Sequence, residues 1–377
     1  MKVLHIISSG GMYGAEAVIL NMSRVLNEAG HQSVLGVFSN FSKLNLELHE
    51  RASMEGIESH LIPCKGQIDR SAIARIRELV RKAKVDVVHA HGYKADIYVY
   101  FALRGTRVPY VSTCHNWIED NPLVAFYGVA DRFVLRKYAR VVAVSDEVKQ
   151  RLLNAGVKAG RICLVENGID LRPFEDVAAS LRVEMGLSGA LIVGLVGRLS
   201  REKGVDIFLR AAARVLTELP EARFVVVGEG PDRDKLESLI DELGIRGGVV
   251  LLGRRDDMPG VYASLDVMVS SSRQEGLPMA ILEGMASRLP LVATAVGEVP
   301  AVVVDNVTGL LVAAEDVEGL AAAIGKLLRD RGLRERLGGA GRLLVEEKYS
   351  AARMAADYLR VYEAAIAETA GSGGVAR

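Results

Sequence analysis

The chain of 377 residues is poor in cysteine and has no long apolar run. Its three cysteines, Cys64, Cys114 and Cys163, are an odd number at irregular spacing, which favours neither a disulfide framework nor a zinc site. No apolar run approaches the ~20 residues of a membrane span. The chain also starts directly with a strand pattern that leads into a glycine loop. We therefore expect a cytoplasmic protein that is neither exported nor membrane-spanning.

An excess of one charge is also absent, because 47 Lys and Arg balance 47 Asp and Glu. No nucleic-acid partner is expected. Half of the residues are apolar, so a large core is available. The length exceeds what one hydrophobic core usually supports, which favours two domains.

One pattern repeats along the chain: a short run rich in Val, Ile and Leu, a glycine or polar turn, and then an amphipathic helical segment. Runs this apolar, separated by helices, are typical of parallel strands buried on both faces. The sequence therefore predicts an α/β protein with two Rossmann-like, doubly wound parallel-sheet domains. The predicted strands are Val3–Ser8, Ser33–Phe38, Val85–His91, Tyr110–Cys114, Arg140–Val144, Ile162–Val165, Leu191–Val196, Phe224–Gly228, Val249–Leu252, Asp266–Ser270, Leu291–Thr294 and Leu310–Val312.

The domain boundary is predicted where strand patterning stops, in the stretch that includes Pro173 and continues to Glu184. We assign residues 1–172 to a first domain and 173–348 to a second. Residues 349–377 form a terminal helix, which ends near Glu368, and a Gly-Ser-Gly-Gly tail that reads as frayed.

Two cations follow the predicted strand Leu191–Val196. Arg198 and Lys203 lie in the stretch Gly-Arg-Leu-Ser-Arg-Glu-Lys-Gly. Ligands bind at the carboxyl ends of strands in open α/β sheets. An arginine fork and a mobile lysine charge both suit a pyrophosphate. The other interpretation is a charged turn that only meets solvent.

Two carboxylates, Glu275 and Glu283, bracket a stretch that begins with Gly276, Leu277 and Pro278. Glu275 lies in a loop, and Glu283 lies in a helix that Pro278 opens. Free amides at that helix start are suited to an anion. A helix-capping carboxylate with a solvated one is the alternative.

The glycine loop after the first strand contains Gly14, which precedes a helix. Such a loop lets the backbone approach a phosphate, although plain turn geometry is the more usual reason for a glycine at such a turn. The loop lacks the Gly-x-Gly-x-x-Gly pattern of dinucleotide-binding proteins, which disfavours a nicotinamide-dependent dehydrogenase.

Three histidines are candidates for chemistry. His115 follows a strand directly after Cys114, so the two side chains face opposite sides and cannot form a nucleophilic dyad. A structural role for His115 stays open. His89 and His91 share a strand face, but a metal needs at least a third ligand and none is evident in the sequence nearby. We predict no metal site.

The segment from Arg70 to Lys84 is a basic amphipathic helix. Such a helix can bind an anionic membrane surface. More often such a helix packs its apolar stripe on the sheet and leaves its charges in water. Peripheral membrane contact is therefore a hypothesis.

Taken together, the Gly-Arg-x4-Lys-Gly stretch and the Glu-x7-Glu stretch resemble glycosyltransferase family 4. The resemblance covers nearly the whole chain and implies a GT-B fold, in which two domains face each other across a cleft and the terminal helix crosses back to the first. It implies a retaining, metal-independent enzyme without cofactor that uses a nucleotide-sugar donor, UDP- or GDP-linked, and a sugar or lipid-linked acceptor. Cell-surface polysaccharide or glycolipid synthesis is the expected setting.

The resemblance also implies roles for single residues. His115 contacts the transferring sugar, and Arg198 and Lys203 stabilise the leaving phosphate. Glu275 binds sugar hydroxyls, and Glu283 binds the ribose diol. Donor-binding positions are completed by Gly14, Arg254, Gly276, Leu277 and Pro278.

One stretch departs from the family pattern. Where paired glycines and a Pro-Glu step are common, residues 296–301 carry Glu298 and Ala301, which removes a basis for predicting the sugar. Two alternative functions stay open. One is a sugar-nucleotide epimerase on the same scaffold, and the other is a non-catalytic sugar-nucleotide-binding subunit.

Overall fold

The computed structural model describes residues 1–9, 11–12, 14–40, 46–65, 69–114, 122–187, 189–276 and 279–372. Within these ranges the strands are β1 Lys2–Ile7, β2 Gln32–Asn40, β3 Glu58–Cys64, β4 Val87–His91, β5 Tyr110–Cys114, β6 Arg140–Ala143, β7 Ile162–Leu164, β8 Ile192–Val196, β9 Arg223–Val227, β10 Val249–Gly253, β11 Val267–Ser270, β12 Leu291–Thr294 and β13 Gly309–Val312.

The helices alternate with these strands. They are α1 Gly14–Glu28, α2 Glu47–Met54, α3 Arg70–Ala83, α4 Tyr93–Leu103, α5 Pro122–Leu135, α6 Asp146–Asn154, α7 Ser180–Glu184, α8 Val205–Glu218, α9 Arg233–Glu242, α10 Met258–Ser264, α11 Met279–Ala286, α12 Val299–Val302, α13 Val317–Arg329, α14 Arg331–Lys348 and α15 Ala351–Ser372. Among the described residues, no helix combines the length and apolar character needed to cross a membrane.

The chain divides into two compact units. Unit 1 comprises Met1–Gly168 and Ala351–Arg377, so the terminal helix α15 belongs to it, and unit 2 comprises Ile169–Ser350. Unit 1 holds a parallel sheet in the order β3-β2-β1-β4-β5-β6-β7, and unit 2 holds one in the order β10-β9-β8-β11-β12-β13. Apolar clusters cover the sheet of each unit. The predicted doubly wound α/β fold is thus confirmed.

One strand, β3, is missing from the sequence prediction. Its sequence Glu-Ser-His-Leu-Ile-Pro-Cys is polar in its first half, and Glu58, His60 and Leu61 are exposed. β3 lies at the edge of its sheet, where charged residues and proline are tolerated because one side of the backbone has no strand neighbour. An edge strand lacks the continuous apolar run by which the inner strands were recognised.

Helix α3, the basic amphipathic segment, packs its apolar stripe into unit 1. Ala72, Ile76 and Val80 are buried in the apolar cluster that includes β2 and β4 residues. Asp69 begins the helix by accepting a hydrogen bond from the Ser71 amide. The apolar face of α3 therefore contributes to the protein core.

A layer of three buried histidines lies at the centre of the seven-stranded sheet. His5 on β1 pairs in register with His89 on β4, and His91 follows two residues later on the same face. The His5 Nδ1 and His91 Nε2 atoms lie 3.2 Å apart, within hydrogen-bonding distance. His89 joins Tyr362 of α15 through Nδ1 and Thr113 of β5 through Nε2, each at 2.8 Å. The layer thus connects β1, β4 and β5 to the terminal helix.

Burial keeps His5 neutral. Desolvation disfavours the imidazolium and lowers the pKa of His5 from 6.5 to about 3. The unfolded chain therefore takes up this proton at a higher pH than the folded protein does. The stability linked to His5 is fully present above pH 6.5 and is lost progressively as the pH falls from 6.5 towards 3.

This linkage predicts that His5→Leu flattens the dependence of stability on pH. Between pH 7.5 and 5.0 the wild type should lose about 2 kcal/mol more unfolding free energy than His5→Leu does. Urea denaturation at both pH values, followed by circular dichroism, measures the difference. His60→Gln, which removes an exposed histidine of the same unit, should keep the wild-type dependence. Equal losses in wild type and His5→Leu would contradict the assignment.

Candidate active site

The candidate site lies at the carboxyl edge of the six-stranded sheet. The strand order reverses between β8 and β11, which are hydrogen-bonded neighbours although β9 and β10 separate them in the chain. Loops diverge at such a switch point and leave a crevice where ligands of open α/β sheets bind. The loop after β8 carries Lys203, and the loop after β11 carries Glu275. The fold therefore brings two of the predicted residues to one place.

Lys203 and Glu275 form an ion pair across this switch point. The Lys203 Nζ atom donates to Glu275 Oε1 at 2.5 Å, and the Ser272 hydroxyl donates to the same oxygen at 2.6 Å. The Glu275 side chain is only 8% exposed, whereas that of Lys203 is 28% exposed. The carboxylate is thus held by two donors in a largely desolvated position, which strengthens both interactions relative to water.

Arg198 differs from Lys203 in having no counter-ion. It is exposed after the end of β8, and its guanidinium makes no hydrogen bond or ion pair with the residues that the structure describes, although its backbone carbonyl accepts from the Ser200 amide. A guanidinium in this state is available to an anion without first breaking an internal contact. Of the two predicted phosphate-binding cations, Lys203 is therefore paired with a carboxylate, whereas Arg198 is not paired with any described residue.

Glu283 lies on α11, as predicted, with its carboxylate turned inwards. The Tyr262 hydroxyl on α10 donates to Glu283 Oε2 at 2.7 Å. Burial raises the pKa of Glu283 above its ordinary value, and the hydrogen bond from Tyr262 opposes this shift. Tyr262 was not identified from the sequence, because it lies in a different helix and its own segment carries no polar motif.

Arg273 holds the site loops together and was also missed from the sequence. Its guanidinium makes two hydrogen bonds to Asp206, at 2.7 and 2.8 Å, and reaches Glu315 at 2.5 Å. It also donates to the carbonyl of Arg201 at 2.9 Å, in the turn that carries Lys203. These contacts join the loops after β8, β11 and β13, and they lower the pKa of Asp206 through the hydrogen bonds from Arg273. Arg273 therefore positions the loops that carry Lys203 and Glu275.

Glycines allow the same loops to touch through their backbones. Gly204 has a φ of +62°, and a Cβ there would overlap the carbonyl oxygen of Ser271. Gly297 has a φ of +52°, and a Cβ there would overlap the carbonyl oxygen of Glu275. Only glycine fits such close approaches with a left-handed backbone. Gly297 lies in the stretch that departs from the family pattern, and it supports the Glu275 loop directly.

The other predicted site residues are spread over both units. Gly14 begins α1 in unit 1 and is exposed. Arg254 is exposed after β10, with its Nε 3.7 Å from an Asp256 oxygen. Gly276 is exposed, with open space where a Cβ would stand. His115, Leu277 and Pro278 lie outside the described residues.

The expectation that no third ligand lies near His89 and His91 was wrong. His5 supplies a third imidazole, and one ring nitrogen of each histidine lies within 4.8 Å of the others. Both ring nitrogens of His89 already make hydrogen bonds, and its ring lies 4.0 Å from that of His91. Two imidazoles bound to one tetrahedral metal would lie further apart than the rings of His89 and His91 do. The arrangement favours a hydrogen-bonded layer, and a metal would have to displace Tyr362 or Thr113.

The sequence of the chain matches two family models. The model of glycosyltransferase family 4 matches residues 12–172, and that of glycosyl transferases group 1 matches residues 190–330. The alpha-D-kanosaminyltransferase of Streptomyces kanamyceticus is 32% identical over 297 residues, which are 74% of this chain and 77% of that protein.

The chain belongs to glycosyltransferase family 4. A D-inositol 3-phosphate glycosyltransferase of Mycobacteroides abscessus is 31% identical over 83% of this chain and 74% of its own length. Both relatives are glycosyltransferases by name, and the predicted family and enzyme class are confirmed.

Solved structures show the same fold. Alr3699/HepE of Anabaena, in complex with UDP, has a TM-score of 0.81, with 21% identity over 99% of this chain and 100% of that one. The sucrose-phosphate synthase of Thermosynechococcus elongatus has a TM-score of 0.76, with 20% identity over 97% and 99% of the two chains. The GT-B architecture of this family 4 protein is therefore shown.

The contact between Gly297 and Glu275 predicts the effect of a single methyl group. Gly297→Ala should cost about 2 kcal/mol of unfolding free energy, because it combines a left-handed backbone with a clash against a carbonyl oxygen. Gly339→Ala is the matched control, since Gly339 lies within α14 with open space around it. That control should be neutral or stabilising, because alanine favours a helix. Urea denaturation of both variants measures the costs, and a loss of under about 0.5 kcal/mol in Gly297→Ala would contradict the close packing.

Proposed function

We propose that the protein transfers a sugar from a nucleotide diphosphate donor, a UDP- or GDP-sugar, to an acceptor hydroxyl, with retention of the anomeric configuration. Membership of the family shows that the protein is a glycosyltransferase. The donor and the stereochemistry of the transfer are what we propose in addition. The acceptor is a sugar or a lipid-linked sugar, in the synthesis of a cell-surface polysaccharide or glycolipid.

The observation that carries the proposal is the contact between Lys203 and Glu275 at the switch point, with the exposed Arg198 in the same loop as Lys203. A nucleotide-sugar presents two phosphates and, next to them, the hydroxyls of the sugar. Cations suit the former and a fixed carboxylate suits the latter. The Anabaena protein of the same fold has been crystallised with UDP and with UDP-glucose, which supports a uridine nucleotide as the first donor to test.

In the proposed mechanism, the acceptor oxygen bonds to the anomeric carbon on the face from which the phosphate departs. The bond between that carbon and the phosphate oxygen breaks, and the acceptor proton passes to an oxygen of the leaving phosphate. Arg198 and Lys203 stabilise the negative charge that develops there, an interaction that is stronger in the transition state than in the ground state.

Other groups orient the donor. Glu275 binds hydroxyls of the donor sugar, and Glu283 binds the ribose diol, for which its carboxylate is already oriented by Tyr262. His115 contacts the sugar near the reacting carbon. No metal is needed in this scheme, since the two cations neutralise the diphosphate.

The decisive test is the release of nucleoside diphosphate from a panel of UDP-, GDP- and ADP-sugars in the presence of a membrane lipid extract and EDTA. One donor should be consumed, and only when the extract supplies an acceptor. Lys203→Ala should lower kcat by about 100-fold and change KM far less. Lys326→Ala, which removes an exposed lysine of the same unit, should match the wild type.

The other outcomes separate the alternatives. Conversion of the donor without acceptor, and without a glycoside product, would indicate an epimerase. Donor binding without any turnover would indicate a binding subunit. Loss of activity in EDTA that added Mg²⁺ or Mn²⁺ restores would contradict metal independence.

Contact with an anionic membrane is the second part of the proposal. The apolar stripe of α3 is buried, so the contact would be electrostatic and would use the exposed face with Arg70, Arg81 and Lys84. Arg77 is less available, because its guanidinium donates to the carbonyls of Phe101 and Ala102. Basic residues near an anionic surface contribute about 1 kcal/mol each.

We expect the protein to cosediment with anionic vesicles at low salt and to be released at high salt. Arg81→Glu with Lys84→Glu should abolish the association. Arg210→Glu with Arg331→Glu, which reverses two exposed charges in unit 2, should not. Failure of the wild type to cosediment at low salt would end the membrane hypothesis.

A further inference from the structure

Lys203 is neutralised before any ligand binds. Its ammonium contacts Glu275 at 2.5 Å, although the role proposed above directs this charge at the donor phosphates. The ammonium cannot give its full charge to a phosphate while a carboxylate holds it. Lys203 must therefore exchange partners when the donor binds.

The carboxylate, in contrast, is fixed in place. Glu275 is almost buried, the Ser272 hydroxyl donates to it at 2.6 Å, and its backbone carbonyl packs against Gly297. Lys203 is the mobile partner, since its long side chain is 28% exposed and the Glu275 side chain only 8%. Withdrawal of Lys203 would leave Glu275 with one donor in a desolvated position, which is costly.

We propose that the Lys203–Glu275 ion pair distinguishes the complete nucleotide-sugar from the nucleoside diphosphate. This inference rests on the proposed function. Sugar hydroxyls donate to Glu275, replace the ammonium there and release Lys203 to the phosphates. A nucleoside diphosphate brings no such hydroxyls, so it must compete with Glu275 for Lys203 and binds more weakly.

The same exchange assists product release. Once the sugar has left, Glu275 has lost its hydroxyl donors and recaptures Lys203. The remaining nucleoside diphosphate is then held chiefly by Arg198, whose guanidinium has no partner among the described residues. Substrate and product differ only in the sugar, and the ion pair converts that difference into a difference in affinity for the shared phosphates.

The direction in which one substitution changes the affinity for a nucleoside diphosphate tests the inference. Glu275→Gln keeps the shape of the side chain and removes the counter-ion of Lys203. Isothermal titration with UDP and GDP should show about three- to tenfold tighter binding of the preferred nucleotide than in the wild type. Affinity for the corresponding nucleotide-sugar should not increase, because the carboxylate that accepts from the sugar is lost. The ratio of the affinity for the nucleotide-sugar to the affinity for the nucleotide should therefore fall.

Two further variants identify the cause. Glu275→Gln combined with Lys203→Ala should return to wild-type affinity for the nucleotide, because the gain depends on the released lysine. If Glu275 merely repelled the phosphates, the double variant would keep the gain, and the inference would be overturned. Glu202→Gln, which removes an exposed carboxylate from the same turn, should change nucleotide affinity less than twofold.

Thermal melting establishes that each variant is folded, and Glu275→Ala replaces Glu275→Gln if the latter does not fold. Unchanged or weaker nucleotide binding in a folded Glu275 variant would overturn the inference and leave the proposed function standing. Failure of the wild type to bind either a nucleotide or a nucleotide-sugar would overturn both.

Discussion

Direct contact between backbones at the carboxyl edge of the six-stranded sheet is the constraint on which the candidate site depends. Gly204 packs on the carbonyl of Ser271, and Gly297 packs on that of Glu275. A peptide group without an intervening side chain cannot be displaced by a rotamer change, so these contacts fix the separation of the loops. Lys203 and Glu275 meet because their loops are held at this short distance. The charged side chains therefore extend from loops whose backbones are held in fixed positions.

The fold could be predicted from the sequence wherever burial imposes a continuous apolar pattern. The inner strands are buried on both faces and are composed mainly of Val, Ile, Leu and Ala, so their runs are visible without a structure. β3 was not predicted, because an edge strand tolerates polar residues and a proline such as Pro63. The proximity of the candidate residues Lys203 and Glu275 was predictable for a related reason, since polar residues after buried strands collect at one edge of a parallel sheet.

The partners of those residues could not be predicted. Lys203 and Glu275 are 72 positions apart, and their contact requires β8 and β11 to be neighbours, which is a property of the strand order. Tyr262, Arg273 and His5 were missed for the same reason. Each has an ordinary local sequence and acquires its role from an element that is distant in the chain. His5 even lies within an apolar run, where its pairing with His89 is set only by the register between β1 and β4.

The ion pairs of Arg273 have a consequence for the exchange of loops between related enzymes. Arg273 sits two residues before Glu275, yet its partners Asp206 and Glu315 belong to the segments that follow β8 and β13. A loop transplanted from a relative that lacks this arginine would leave two carboxylates close together without their shared cation. Their repulsion would act on the turn that carries Lys203. The turn that carries Lys203 therefore depends on three separated segments, which have to be inherited or engineered together.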